Sequence, residues 1–173
     1  DGLYCRLSGL PLYPFPIPSI TENGKAGNLK VALLQTALPS KQQLSNTDDL
    51  KLNNPSTRRQ HRRHLSAMLR LFMKMTEVRK GYKNEKESID LVLLPELSVH
   101  SDDIFLLERF ADSLKCMVFC GLVFHSNPED ESEIINSGLW ILPVISSDGR
   151  SIRFVEQGKY HLTQEEKDLD ISP

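Results

Sequence analysis

Runs of apolar residues alternate with segments of helical periodicity along this chain, and together they predict a mixed α/β domain. Uninterrupted apolar runs such as Leu91-Val92-Leu93-Leu94 are typical of strands buried on both faces of a helix-covered sheet. Segments in which apolar residues recur every three or four positions predict amphipathic helices. The predicted strands are 30–35, 89–94, 117–124, 134–144 and 152–155.

Two helices are predicted between these strands. The first begins at Asn54-Pro55-Ser56, ends at Gly81, and carries the apolar stripe Leu65, Met68, Leu69, Phe72, Met75 and Val78. The second begins at Asp102-Asp103 and carries the stripe Leu106, Leu107, Phe110, Ala111 and Leu114. A hairpin turn is predicted at Ser147-Asp148-Gly149-Arg150. The order βαβαβββ therefore predicts an α/β layered fold, with helices on one side of a sheet and room for a second sheet behind it.

The proline pattern divides the chain. Residues 1–28 carry Pro11, Pro14, Pro16 and Pro18 between large apolar residues, which predicts a linker from a preceding domain or an extended arm. Residues 29–173 form the predicted domain, in which the polar segment 36–56 is expected to be a long functional or mobile loop. Because the chain begins at Asp1 rather than Met, we expect a covalently linked upstream domain.

Composition adds few constraints. A hydrophobic content of 39% and a charged content of 25% are typical of a soluble globular protein, and a net charge of -2 gives no general reason to expect nucleic acid or membrane. No apolar run reaches the length that spans a membrane, and the residues after Asp1 do not show the pattern expected of a signal-peptide core. The cysteines and histidines lack disulfide-framework or ligand spacing, which favours a reducing, cytoplasmic location and predicts no metal and no cofactor.

Glu96 is the strongest candidate for chemistry. Pro95 has no amide proton and should end the second strand, which places Glu96 at the sheet edge where open α/β folds bind ligands. A carboxylate there is costly to desolvate unless a cation meets it, and Lys159 after the last strand could supply that cation. Glu96 could instead cap a helix, and Lys159 could be a surface residue in a turn. We expect His161 to be partly buried rather than catalytic.

Five segments in order over residues 29–168 resemble the N-terminal part of the nitrilase, or carbon–nitrogen hydrolase, superfamily. They are KVALLQ, LVLLPEL, ERFADSLKCMVFCGLVF, INSGLWILP and GRSIRFVEQGKYHLTQEE. The resemblance implies a layered α-β-β-α sandwich, incomplete at its C-terminus, and a Glu-Lys-Cys set that hydrolyses a small amide or nitrile substrate. By motif position, Glu96 resembles the general base, Lys159 the lysine, and Glu166, or less closely Glu165, a second glutamate that supports the lysine. A homo-oligomer is also implied.

The nucleophile implied by this resemblance falls outside the chain. The family's cysteine lies a few tens of residues after the lysine, and therefore beyond Pro173. Cys116 and Cys120 lie in a predicted strand, where cysteine is usually an inert small hydrophobe. We therefore expect residues 1–173 alone to have no hydrolase activity.

Positive charge is concentrated in the first turns of the first predicted helix, at Arg58, Arg59, Arg62 and Arg63. The helix dipole already makes that end positive, so the arrangement is locally unfavourable. A solvated face with internal salt bridges is the simplest explanation. Acidic side chains from elsewhere in the fold, or the phosphate backbone of a nucleic acid bound by these four arginines, are the alternatives.

A second set of segments resembles one branch of the superfamily, the nitrilase-like domain fused behind bacterial reverse transcriptases of antiviral defence systems. They are QTALPS, RRQHRRHL, LPELSVH, NSGLWIL and QGKYH. Two functions thus stay open. One is part of a thiol-dependent hydrolase of non-peptide carbon–nitrogen bonds. The other is a non-catalytic interaction or oligomerisation module whose basic helix binds nucleic acid.

Overall fold

The computed structural model describes residues 5–7, 10–12, 29–40, 43, 50–83, 89–147, 149–159 and 161–172. In chain order the elements are β1 (Cys5–Leu7), β2 (Leu10–Leu12), β3 (Val31–Leu33), α1 (Pro55–Lys83), β4 (Leu91–Leu93), a 3₁₀ turn (Ser101–Asp103), α2 (Ile104–Leu114), β5 (Met117–Gly121), β6 (His125–Ser126), β7 (Ile134–Ile135), β8 (Ser137–Ser146), β9 (Gly149–Gly158), α3 (Gln164–Asp168) and β10 (Ile171–Ser172).

The main sheet has five strands in the order β3-β4-β5-β8-β9. β3, β4 and β5 are parallel, since each pair is joined through a helix, and β8 and β9 continue the sheet antiparallel. Ser146 pairs with Gly149, which has φ +116, so the predicted hairpin lies at its expected position. The predicted α/β class and the antiparallel extension after two strand–helix units are both confirmed.

Helices α1 and α2 cover one face of this sheet. Leu65 and Leu69 of α1 and Leu107 and Phe110 of α2 are buried in a single core. The sheet contributes Val92, Val118, Cys120, Leu139 and Ile141 to that core. Period-2 alternation along the strands explains why every second residue faces the helices.

The expectation that the central strands are buried on both faces is wrong. Val92 and Leu94 face the helices and are buried, but Leu91 and Leu93 are only half-buried. On β3, Leu33 is 78% exposed. The reason is that, among the described residues, helices cover only one of the two sheet faces.

The apolar stripe of α1 is confirmed in its first half and wrong in its second. Met75 and Val78 are 55% and 50% exposed. A helix of 29 residues is roughly 43 Å long, whereas a three-residue strand spans only about 10 Å, so the last turns of α1 extend past the sheet. α1 also continues through Gly81, where it was expected to end, to Lys83.

The predicted strand 134–144 is interrupted at Asn136. β7 leaves the main sheet and pairs with β6 and β10 in a separate three-stranded sheet. Leu50, Phe124 and Ile171 form a second small core with this sheet. Leu50 and Leu52 are buried, so part of the predicted polar loop 36–56 packs into the fold.

Residues 1–28 contain one described pair of strands. Cys5–Leu7 and Leu10–Leu12 pair antiparallel, and the rest of the segment lies outside the described residues. Whether it is a linker or an arm stays a prediction. Among the described helices, none has the length and apolar character needed to cross a membrane.

Side-chain truncation in α1 should lower the free energy of unfolding where the helix covers the sheet, but not where it extends past the sheet. Leu69→Ala empties space in the core and is expected to lower the free energy of unfolding by about 2–4 kcal/mol. Met75→Ala, on the same helix but exposed, should change it by less than about 0.5 kcal/mol. Urea unfolding followed by circular dichroism measures both, and equal losses would contradict this placement of the helix.

Candidate active site

Glu96 is held by a close approach of two backbones at the end of β4. The Leu94 N–H donates to the Phe119 carbonyl at 2.9 Å, and Pro95 donates no hydrogen bond but accepts one from the Gly121 N–H at 3.2 Å. A Cβ added to Gly121 would lie 2.4 Å from the Cα of Glu96, so no side chain fits at this position. Leu97 then adopts φ +56, a left-handed conformation that costs about 1–2 kcal/mol for a residue with a side chain.

Lys159 reaches the same place from the end of β9. Its backbone N–H donates to the Asn136 carbonyl at 2.8 Å, which fixes the start of its side chain. Its Nζ donates to Glu96 Oε1 at 2.8 Å and to Glu166 Oε1 and Oε2 at 2.9 and 3.0 Å. The expected meeting of Glu96 and Lys159 is therefore confirmed, across 63 positions of sequence.

Glu166, rather than Glu165, is the second carboxylate. Thr163 caps α3 by accepting a hydrogen bond from the Glu166 N–H at 3.2 Å, and Glu166 Oε2 accepts one from the Thr163 N–H at 2.7 Å. This reciprocal pair is a capping box, and Thr163-Gln164-Glu165-Glu166 is its S/T-x-x-E signature. The signature in the sequence could have decided between the two glutamates, because only the third position after the cap turns back toward it.

Asn136 was missed as a site residue. Its Nδ2 donates to Glu96 Oε1 at 2.8 Å and to Glu166 Oε1 at 2.6 Å, so it joins both carboxylates. It is almost fully buried at the point where β7 ends and β8 begins. A lone amide inside an otherwise apolar strand run was the available signal, since a buried amide requires partners.

Burial and hydrogen bonding shift the pKa values of Glu166 and Lys159 in opposite directions. Burial by itself would raise the pKa of Glu166, but hydrogen bonds from Thr163, Lys159 and Asn136 lower it to about 2. Burial by itself would lower the pKa of Lys159, but hydrogen bonds to Glu96 and Glu166 outweigh it and raise that pKa. Glu166 and Lys159 therefore form a fixed ion pair at neutral pH.

Glu96 is the carboxylate that can react. Its side chain is 53% exposed, against 9% for that of Glu166. Oε1 accepts from Lys159 and Asn136, whereas Oε2 accepts no hydrogen bond from the described residues. A free carboxylate oxygen on a fixed, half-exposed side chain is suited to accept a proton.

The described cysteines cannot act as nucleophiles here. Cys116 and Cys120 are buried, and burial raises the pKa of each thiol to about 12. Cys120 lies on β5, where its Sγ faces the carbonyl of Leu139. The expectation that His161 is partly buried is wrong, because it lies exposed in the turn between β9 and α3. No group of three His, Cys, Asp or Glu side chains able to hold a metal ion occurs among the described residues.

The basic first turns of α1 are neutralised in part by the fold. Arg58 and Arg62 both donate to the buried carboxylate of Asp103, at 2.5 Å each, while Arg59 and Arg63 are exposed. Burial would raise the pKa of Asp103, but the two guanidinium groups hold it below its usual range. An acid from elsewhere in the fold, one of the expected alternatives, thus compensates two of the four arginines, and nucleic-acid binding stays a prediction.

Comparison with protein-family models, with curated proteins and with solved structures finds no match to this chain. The resemblance to the nitrilase superfamily therefore rests on the sequence segments alone.

Glu166→Gln should destabilise the protein in a pH-dependent way. The variant keeps the capping box but loses the charge, and it should lower the free energy of unfolding by about 3 kcal/mol at pH 7. Because the folded pKa lies below the unfolded one, this contribution is complete above pH 4.5 and is lost as pH falls toward 2. Urea unfolding at pH 7 and pH 3 measures it, with exposed Glu165→Gln as the control. An equal loss at both pH values would show that the charge is not responsible.

Arg58→Ala should also destabilise the protein, since it removes one of two partners of a buried carboxylate. We expect a loss of about 3 kcal/mol at pH 7. The matched change Arg63→Ala removes an exposed charge from the same helix and should cost less than about 0.5 kcal/mol. Thermal unfolding compares them, and a harmless Arg58→Ala would mean that Asp103 does not depend on it.

Proposed function

We propose that this domain is the acid–base part of a nitrilase-like hydrolase acting on a small amide or nitrile. The observation that carries the proposal is the Lys159 ammonium bonded to both Glu96 and Glu166 at the carboxyl edge of the sheet. These are the residues that the resemblance assigns as base, lysine and supporting glutamate. The attacking thiol would come from a cysteine that residues 29–172 do not supply.

In the proposed reaction, Oε2 of Glu96 takes the proton of the thiol as its sulfur attacks the carbonyl or nitrile carbon. A carboxylate hydrogen-bonded at one oxygen and free at the other can do this without moving. With an amide, the same proton passes to the leaving nitrogen as the C–N bond breaks, and a water activated by the same carboxylate then hydrolyses the thioester to the acid and restores the thiol. With a nitrile, the proton passes to the nitrogen of a thioimidate, and two waters follow, of which one releases ammonia and the second releases the acid.

Lys159 would stabilise the negative charge that develops on the substrate. Once Glu96 is protonated, its Oε1 becomes a weaker acceptor, which frees one N–H of the ammonium for the new charge. Glu166 stays ionised throughout, because its pKa lies at about 2. Its two oxygens accept hydrogen bonds from Lys159, and so keep the ammonium protonated and fixed in position beside Glu96. Asn136 is a positioning residue, since it fixes both carboxylates relative to each other.

The exposed apolar sheet face supports the same proposal. Val31, Leu33 and half-buried Trp140 lie on the side away from α1 and α2. In the α-β-β-α sandwich that the resemblance implies, a second sheet covers this face. A cytoplasmic, oligomeric enzyme within an antiviral reverse-transcriptase fusion is the finer form of the proposal, and it rests on the sequence resemblance alone.

The nucleic-acid alternative is less well supported. Asp103 pairs with both Arg58 and Arg62, which leaves exposed Arg59 and Arg63 as the two of the four that do not contact it. Two exposed arginines give a weak, strongly salt-dependent affinity for a phosphate backbone.

The hydrolase proposal is tested by assaying a panel of small amides and nitriles. The purified 173 residues should show no turnover, because no described thiol can attack. In a form that also carries the nucleophilic cysteine, Glu96→Gln should lower kcat by roughly 10²–10⁴-fold, whereas Glu165→Gln should leave it unchanged. Turnover by the 173 residues alone, or full activity of the Glu96→Gln form, would overturn the proposal.

A further inference from the structure

A cavity of about 130 Å³ lies between the segment after β3 and the first turns of α1. Leu38 and Pro39 form one wall, and Thr57, Gln60, His61 and His64 form another. None of the four residues of the candidate active site, Glu96, Asn136, Lys159 and Glu166, lines it. The space is several times the roughly 30 Å³ that one water occupies in the liquid, so it can hold a small ligand group.

His61 gives this cavity a chemical requirement that the protein does not meet. It is only 8% exposed, yet its Nδ1 and Nε2 are both buried and find no hydrogen-bond partner among the described residues. The hydroxyl of Thr36, next to the lining segment, is also buried and has no partner in the described part of the chain. Leaving such a group unpaired costs about 1–3 kcal/mol, and an unmet group of this kind marks a position that a ligand can satisfy.

The charge around the cavity favours an anionic ligand over a metal cation. No carboxylate is found in the cavity lining among the described residues. Arg58 lies one turn before His61, and its buried Nε and Nη2 donate no hydrogen bond to a described residue, although the Asp102 carboxylate lies 3.9 Å from Nη2. Three more arginines follow within the same two turns of α1, at positions 59, 62 and 63, and Asp103 offsets part of this charge by pairing with Arg58 and Arg62. A metal cation bound between His61 and His64 would meet this positive charge, whereas an anion would be stabilised by it.

We propose that this cavity binds the oxyanion group of a small ligand, a carboxylate or a phosphate, through a hydrogen bond from the His61 ring. This site is separate from the proposed hydrolase site and does not depend on it.

Binding should be coupled to proton uptake. Burial and the charge of Arg58 lower the pKa of His61, so its ring is neutral when the cavity is empty. Asp103 acts in the opposite direction, and His100 and His64 are the other titratable groups that face it. A bound anion favours the imidazolium form, and the affinity should therefore rise as pH falls from 8 to 6.

The test uses the 173-residue chain and the ring resonances of its histidines in nuclear magnetic resonance. Inorganic phosphate and sodium acetate are titrated separately, with sodium chloride at matched ionic strength as the control. We expect the His61 ring to shift toward its protonated form in a saturable way with one or both oxyanions, and not with chloride. The arm that saturates at the lower concentration identifies phosphate or carboxylate as the preferred group.

Two variants distinguish a specific anion-binding site at His61 from general attraction of anions to the positive charge of α1. His61→Phe keeps the ring's bulk but removes its nitrogens, and it should raise the Kd of the preferred anion by about tenfold or more. Arg63→Ala removes an exposed charge from the same helix and should raise the Kd by less than about threefold. Equal weakening in both variants would overturn the proposal. If His61→Phe does not fold, the titration of the wild-type protein tests the proposal by itself. The proposal is overturned if the His61 ring does not respond to either oxyanion, or if chloride produces the same response.

Discussion

The ammonium group of Lys159 is the interaction on which the candidate site depends. It lies between two carboxylates, and a buried, ionised Glu166 would be unstable without it and without the amide of Asn136. Four side chains from four separate parts of the chain thus form one hydrogen-bonded group: Glu96, Asn136, Lys159 and Glu166. The site differs from an ordinary surface salt bridge in its two carboxylates. Glu166 is buried and ionised at neutral pH, whereas Glu96 is half-exposed and its Oε2 accepts no hydrogen bond from the described residues.

The backbone around Glu96 shows what this arrangement requires of the fold. Gly121 allows β5 to approach the Glu96 backbone more closely than any residue with a side chain could. Leu97 adopts a left-handed conformation immediately afterwards, and the N–H groups of Ser98 and Val99 donate to the Gly121 carbonyl. Local strain held in place by a glycine contact and two hydrogen bonds is common where a side chain must be aimed accurately.

The first turns of α1 illustrate a different use of charge. Asp103, at the start of α2, links the two helices by accepting from Arg58 and Arg62, so part of the basic cluster is structural. The same turns of α1 carry His61, which lines the neighbouring cavity and has no hydrogen-bond partner among the described residues. A single group of arginines therefore joins the helices and sets the ligand preference that we propose for the cavity.

The sequence by itself determined the order of the main-sheet strands and of the two long helices, and the sheet edge on which Glu96 lies, since these follow from apolar periodicity and proline position. It offered Lys159 as one partner for Glu96, because an unpaired carboxylate at that edge is costly. The exposed end of α1, the departure of β7 from the main sheet, and the roles of Asn136, Asp103 and His61 were decided by tertiary structure alone. The physical reason is that periodicity reports which face of an element is apolar, but not how far the neighbouring element extends. Nor does a polar residue in a sequence reveal whether a distant partner will satisfy it, because that depends on contacts between residues far apart in the chain.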